Sequence, residues 1–229
     1  MNFGALPERL HRVRAEIARQ QAAGGWTHSV TIVAVTKGFG ADAVAAALAA
    51  GLTDIGENRV QEALDKMASP ETAGATWHLI GHLQRNKAKH VPGRFAMVQS
   101  LDAGDLALEL DRRAAAANVT LRVLVQVNVA GETQKSGCAP EQAPALARQV
   151  AGLAQLRLDG LMTLAPFTDD VAIQRRTFRA LRELRDALQQ GDLWLPTLSM
   201  GMSADFATAV AEGATMIRLG TSLFGPRTP

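Results

Sequence analysis

Short runs of branched apolar residues alternate along the chain with longer stretches in which alanine and leucine recur at a helical period. This alternation predicts strands and helices in turn. An amphipathic helix, about Leu6 to Gln21, comes first. The first strand is Val30–Lys37, and its helix, Ala41–Ala50, is closed by Gly51 as a C-cap. Thr53–Glu57 is a shorter second strand, followed by a helix near Arg59–Ala68. Thr76–Ile80 is the third and ends in Gly81, with a short helix around Gln84–His90. Phe95–Ser100 and Leu121–Val129 are the fourth and fifth, with helices over Ala103–Ala117 and Pro140–Leu153. Leu156–Thr163 leads into a long helix near Asp170–Gln189, and Trp194–Met200 into Ala204–Glu212. Thr215–Leu219 is the eighth strand, running into Gly220 and a short tail.

Eight β-then-α units in 229 residues, with no composition break, predict an α/β protein: one closed (β/α)8 TIM barrel domain over residues 1–229. The barrel itself would occupy about 30–225, with the first helix as an addition. A doubly wound open sheet is the alternative, because counting strands does not prove closure.

Lysine and arginine, 24 in all, nearly balance 22 aspartates and glutamates, which gives no general electrostatic pull toward nucleic acid. The single cysteine, Cys138, excludes an internal disulfide framework and a cysteine-based zinc cluster. No apolar stretch is long enough to span a bilayer, and the N-terminus, with Glu8, Arg9, Arg12, Arg14 and Glu16, lacks the apolar centre of a secretory signal. The expectation is a cytoplasmic protein with neither nucleic acid nor membrane as partner.

In a barrel the carboxyl ends of the strands meet in one mouth, so those ends read as a functional inventory. Lys37 ends the first strand ahead of Gly38-Phe39-Gly40. Desolvation at such a place lowers an ammonium's pKa and lets the neutral amine attack a carbonyl, although a lysine that merely snorkels at a strand end fits the segment as well. The seventh and eighth ends, Ser199-Met200-Gly201-Met202-Ser203 and Arg218-Leu219-Gly220-Thr221-Ser222, carry the strongest signal. Glycine and hydroxyl residues there expose backbone N–H groups, and barrels commonly bind phosphate with the loops after strands seven and eight. Capping and turning is the plainer reading of the same residues. Arg218 must find an acceptor: a phosphate, a carboxylate such as Glu57, or a heteroaromatic ring nitrogen. An amine, a phosphate cup and an arginine together suggest a phosphorylated aldehyde, and pyridoxal phosphate meets all three demands. His78 and His82 straddle a strand and its turn and do not form a helical metal pair. Arg85, Lys87, Lys89 and His90 read as a solvated basic face, and Cys138 as a packing or surface residue.

Several segments resemble the YggS/PROSC family of pyridoxal phosphate homeostasis proteins. They are Ala34-Val35-Thr36-Lys37, Ile55 to Glu62, Trp77 to Lys87, Lys135-Ser136-Gly137, Gly160 to Thr163, Leu198 to Asp205 and Arg218 to Gly225. The resemblance implies a barrel similar to the N-terminal domain of alanine racemase, holding pyridoxal 5′-phosphate as an aldimine of Lys37. It implies Ser203, Gly220 and Thr221 at the phosphate, Arg218 at the pyridine nitrogen, and Asn58 and Met200 among the cofactor-binding residues. It further implies cofactor storage or delivery, with pyridoxal-phosphate-dependent apo-enzymes as receivers, an effect on amino-acid and keto-acid balance, and a monomer without catalytic turnover. One departure is visible: many members carry a second lysine where this chain has Phe39, leaving Lys135 and Lys87 as secondary amines near the mouth.

The rival is a racemase or decarboxylase of the same fold. An alanine-type racemase needs a tyrosine as second base, and the chain has none. An arginine at the ring nitrogen also makes the ring a poorer electron sink. A class I aldolase ranks last, since the sixth strand lacks a lysine.

Overall fold

The computed structural model describes residues 3–132 and 136–226. Its elements follow the alternation of the sequence: α1 (Leu6–Gly24), β1 (Thr31–Val35), α2 (Ala41–Ala49), β2 (Asp54–Glu57), α3 (Val60–Met67), β3 (Thr76–Leu79), β4 (Met97–Leu101), α4 (Gly104–Ala116), β5 (Leu121–Gln126), α5 (Ala143–Ala151), β6 (Leu156–Met162), α6 (Val171–Gln189), β7 (Thr197–Met202), α7 (Phe206–Ala211), β8 (Met216–Leu219) and α8 (Thr221–Phe224). The strands pair in chain order as a closed parallel barrel. β1 pairs with β8 in the register Thr31↔Met216, Ile32↔Ile217, Val33↔Arg218 and Ala34↔Leu219, which closes the sheet and removes the open doubly wound alternative.

Most apolar side chains lie between the barrel and its helices, in one contiguous cluster. Inside the barrel Val33, Met97, Leu124, Met162 and Met216 form a second, smaller cluster, with Leu164 of the mouth packed against it. The rest of the interior is polar, with His78, Gln99, Ser199 and Arg218 all buried.

Several boundaries differ from expectation. β1 stops at Val35, so Lys37 sits in the turn that follows. The segment after β3 is a 3-10 helix, Arg85–His90, and another occupies Pro70–Thr72; neither buries enough of an apolar face to sustain an α-helix. β7 runs on to Met202 through a bulge at Gly201, whose φ of +97° suits glycine and whose Cβ, if present, would meet Ala209 at 2.6 Å. α8, in place of an irregular tail, was not anticipated, because one helical turn leaves too short a periodic signal.

α1 packs on α7 and α8 across the β8 side of the barrel. Phe3, Phe39 and Phe224 form a triangle of rings with centroids 5.4–6.0 Å apart. The triangle ties the start of the chain and α8 to the loop after β1. Phe39 is buried there, facing away from the mouth, so its place in the sequence is explained by packing.

Candidate functional site

At the carboxyl end of the barrel lies a cavity of about 530 Å³, within the range of small-molecule and cofactor sites. Lys37, Asn58, Ser203, Arg218, Gly220 and Thr221 all line it, so six of the seven residues singled out in the sequence meet in one place. The seventh does not. Met200 alternates out of the barrel on β7 and is fully buried against the surrounding helices, while Met202, two residues on, lines the cavity instead. The opposite wall is the segment Leu164 to Asp169, which sequence reasoning did not reach, with Phe167 standing 99% exposed at the rim.

Lys37 owes its position to charges beneath it. Its turn hangs on Lys66 of α3, whose ammonium donates to the Thr36 carbonyl at 2.8 Å, and on Glu62, which accepts from the Gly38 N–H at 2.6 Å. The same ammonium pairs with Glu57 at 2.5 Å and Glu62 at 3.0 Å. Glu57 also accepts from the Thr36 hydroxyl, yet its Oε2 is buried with no partner. Burial pushes the Glu57 carboxyl above its ordinary pKa, and Lys66 and Thr36 only partly oppose it. Glu62 goes the other way: its partial burial is outweighed by hydrogen bonds from Gly38 and Lys66, which hold its pKa down. Glu57 is therefore the partner of Lys66, and the pairing of Glu57 with Arg218 allowed by the sequence is not made.

Across the cavity, Ser203 joins the loops after β7 and β8. Its Oγ accepts from the backbone N–H groups of Gly220 at 3.2 Å and Ser222 at 3.1 Å. Two backbone donors thus already converge on a single oxygen, the arrangement that a phosphate oxygen requires. Asn58 is held on the other side by close backbone packing, for a Cβ on Gly81 would lie 2.4 Å from the Asn58 carbonyl oxygen.

Arg218 lies at the floor, 3% exposed. It donates from Nη1 to Ser199 Oγ at 2.6 Å and from Nη2 to the Thr163 carbonyl at 2.9 Å. Burial pushes its pKa down to about 10, with the nearby Asp205 acting in the opposite sense, so it stays a cation at neutral pH.

The remaining candidates separate from the cavity. His78 is inside the barrel and bonded to Asp54 at 2.9 Å, whereas His82 is exposed; no cluster able to hold a metal ion occurs among the described residues. Lys87 lines a neighbouring groove with Asn58, Arg59 and His82, and Lys135 lies outside the described residues. Arg85 and Lys89 are exposed. Cys138 is buried, and burial together with Asp102 pushes its thiol up to about 11, which removes it as a nucleophile at neutral pH.

The chain matches the family model described as alanine racemase, N-terminal domain, over residues 9–228. It is 46% identical over 226 residues to a protein of Pseudomonas aeruginosa named pyridoxal phosphate homeostasis protein, covering 98% of this chain and 97% of that one. The solved structure of PipY from Synechococcus elongatus with PLP bound superposes with a TM-score of 0.84 at 38% identity, covering 96% of this chain and all of that one. A protein of the same name from Aquifex aeolicus is 40% identical over 96% of this chain and 97% of its own length. The chain belongs to the pyridoxal phosphate homeostasis protein family. The resemblance seen in the sequence motifs is thus the resemblance of the whole chain. The cavity at the mouth of the barrel has Lys37 on one side and the loops bearing Ser203 and Gly220 on the other. Among the described residues no helix is long and apolar enough to cross a membrane.

Proposed function

We propose that the chain binds pyridoxal 5′-phosphate in the mouth cavity and serves cofactor homeostasis as a carrier, without turnover of its own. One observation carries this reading: the cavity gathers the Lys37 amine, the buried Arg218 guanidinium and the Ser203 and Gly220-Thr221 loops from opposite ends of the chain, in a protein of this family. When bound, the cofactor supplies an aldehyde that condenses with a primary amine. Lys37 is the amine lining the cavity. Ser203, Gly220 and Thr221 bind the phosphate, Arg218 faces the ring nitrogen, and Asn58 borders the ring. A guanidinium at that nitrogen cannot keep it protonated as a carboxylate would, which suits storage better than catalysis. The absence of tyrosine from the sequence favours the same choice over an alanine-type racemase. The carrier works as a single cytoplasmic domain and a monomer, and hands its cofactor to pyridoxal-phosphate-dependent apo-enzymes.

Titration with pyridoxal phosphate should turn the protein yellow, and borohydride should then fix the cofactor's mass on the peptide containing Lys37. Lys37→Ala should abolish the yellow absorbance while retaining weaker, non-covalent uptake through the phosphate loops. A protein that takes up no cofactor, or one that racemises amino acids at more than about one turnover per second, would overturn the reading.

A further inference from the structure

Arg218 does not end its hydrogen bonding at Ser199. The Ser199 hydroxyl, which accepts from Arg218, donates to Gln99 Oε1 at 2.6 Å. The Gln99 amide nitrogen lies 3.0 Å from His78 Nδ1, and His78 Nε2 lies 2.9 Å from Asp54 Oδ1. The chain of bonds therefore runs from the floor of the mouth cavity through the barrel interior to its opposite end. There Asp54, with its side chain 31% exposed, borders a second cavity of about 340 Å³ under α1.

The chemistry of the groups fixes every direction. A guanidinium only donates, so Ser199 accepts from it and spends its one proton on Gln99 Oε1. The Gln99 amide then turns its NH₂ to His78, whose Nδ1 must be the bare nitrogen, leaving Nε2–H to donate to Asp54. Turning Gln99 over would point a bare Nε2 at the Asp54 carboxylate unless His78 were doubly protonated. All four dipoles consequently point the same way, from a cation at the mouth to an anion at the base. His78, Gln99 and Ser199 are each buried in the barrel, where a polar group without a partner is costly and a connected chain is self-reinforcing.

We propose that Asp54 and His78 are positioning residues for Arg218. Through Gln99 and Ser199 they set its orientation and favour its charge at the floor of the cofactor pocket, from the far end of the barrel. The inference rests on the function proposed above for that pocket, but the chain of bonds exists without the cofactor and is tested without it.

The first measurement is histidine ¹⁵N NMR on the cofactor-free protein. His78 should show a protonated Nε2 and a bare Nδ1, and Arg218→Lys should move the His78 resonances although the two residues do not touch. The second is pyridoxal phosphate titration of Asp54→Asn, which keeps an acceptor for His78 but removes the charge, and of His78→Asn, which keeps an acceptor for Gln99 but cuts the link to Asp54. Each should weaken binding by about tenfold and displace the absorbance maximum of the bound cofactor, with Lys37 still fixed by borohydride. A merely structural role would lower the melting temperature and leave that maximum in place. An Nδ1–H tautomer, or wild-type affinity and spectrum in both variants, would overturn the proposal. If the unaltered protein takes up no cofactor, the functional reading fails while the NMR result still decides the relay.

Discussion

Lys66→Met removes the cation that the turn bearing Lys37 hangs on. Lys66 makes three bonds, to the Thr36 carbonyl, Glu57 and Glu62, and its side chain is 7% exposed against 0% for Glu57. The methionine fills similar space, so the loss is electrostatic: Glu57, already with one unpartnered oxygen, is left as an uncompensated buried carboxylate. Breaking a buried pair in this way costs about 3–5 kcal/mol. For a chain of this size that corresponds to a fall in Tm of roughly 10 °C. The deficit should also depend on pH. Burial already raises the Glu57 carboxyl, and without Lys66 it rises further. A carboxyl raised in the folded state binds its proton more tightly there than in the unfolded chain, so the variant gains stability as pH falls toward the unfolded value. Calorimetry at pH 8 and pH 5 should show the deficit shrinking on acidification, and the double variant with Glu57→Gln should recover about half of it at pH 8. A fall in Tm under about 2 °C, or a deficit that holds steady or widens at pH 5, would refute the assignment of this pair as the support under Lys37.

Two further outcomes test the surroundings of the site. At pH 8 a thiol-reactive probe should label Cys138 at least about a hundredfold more slowly than the unfolded chain, from the two-unit rise of its pKa alone; equal rates would show the residue exposed. Phe39→Ala should cost about 3–5 kcal/mol in denaturant unfolding by emptying the Phe3–Phe39–Phe224 triangle, and an unchanged midpoint would mean that the ring contributes no packing.

The fold was legible because each parallel strand is buried on both faces and each helix on one, so periodicity alone separated them. The mouth was legible too, since Lys37, Ser203, Arg218, Gly220 and Thr221 each follow or end an apolar run and must converge once the barrel closes. What the sequence did not disclose depends on which way a side chain points. Met200 lies away from the cavity by plain alternation, because its neighbour Ser199 points into the barrel, and the bulge at Gly201 is what brings Met202 to the cavity. The partner of Lys66 was hidden because an i,i+9 contact between a strand end and the next helix has no local spacing rule. The barrel's polar interior was legible only in part. Arg218 visibly needed an acceptor, but its link to His78, Gln99 and Ser199, polar residues inside apolar strands that each need a buried partner, joins strands far apart in sequence.

The pairing of β1 with β8 bears on how the protein is made. Lys37 comes from the first strand–helix unit and the loops proposed for the phosphate from the last two, and they meet only across this seam. On the ribosome, a chain lacking β8 has the amine but no floor, no converging N–H groups and no Phe224 to anchor the loop after β1. Such an amine has no more claim on a reactive aldehyde than any surface lysine. On the function proposed above, cofactor capture then waits until synthesis has passed Phe224, and the seam between β1 and β8 is what separates a finished barrel from a fragment.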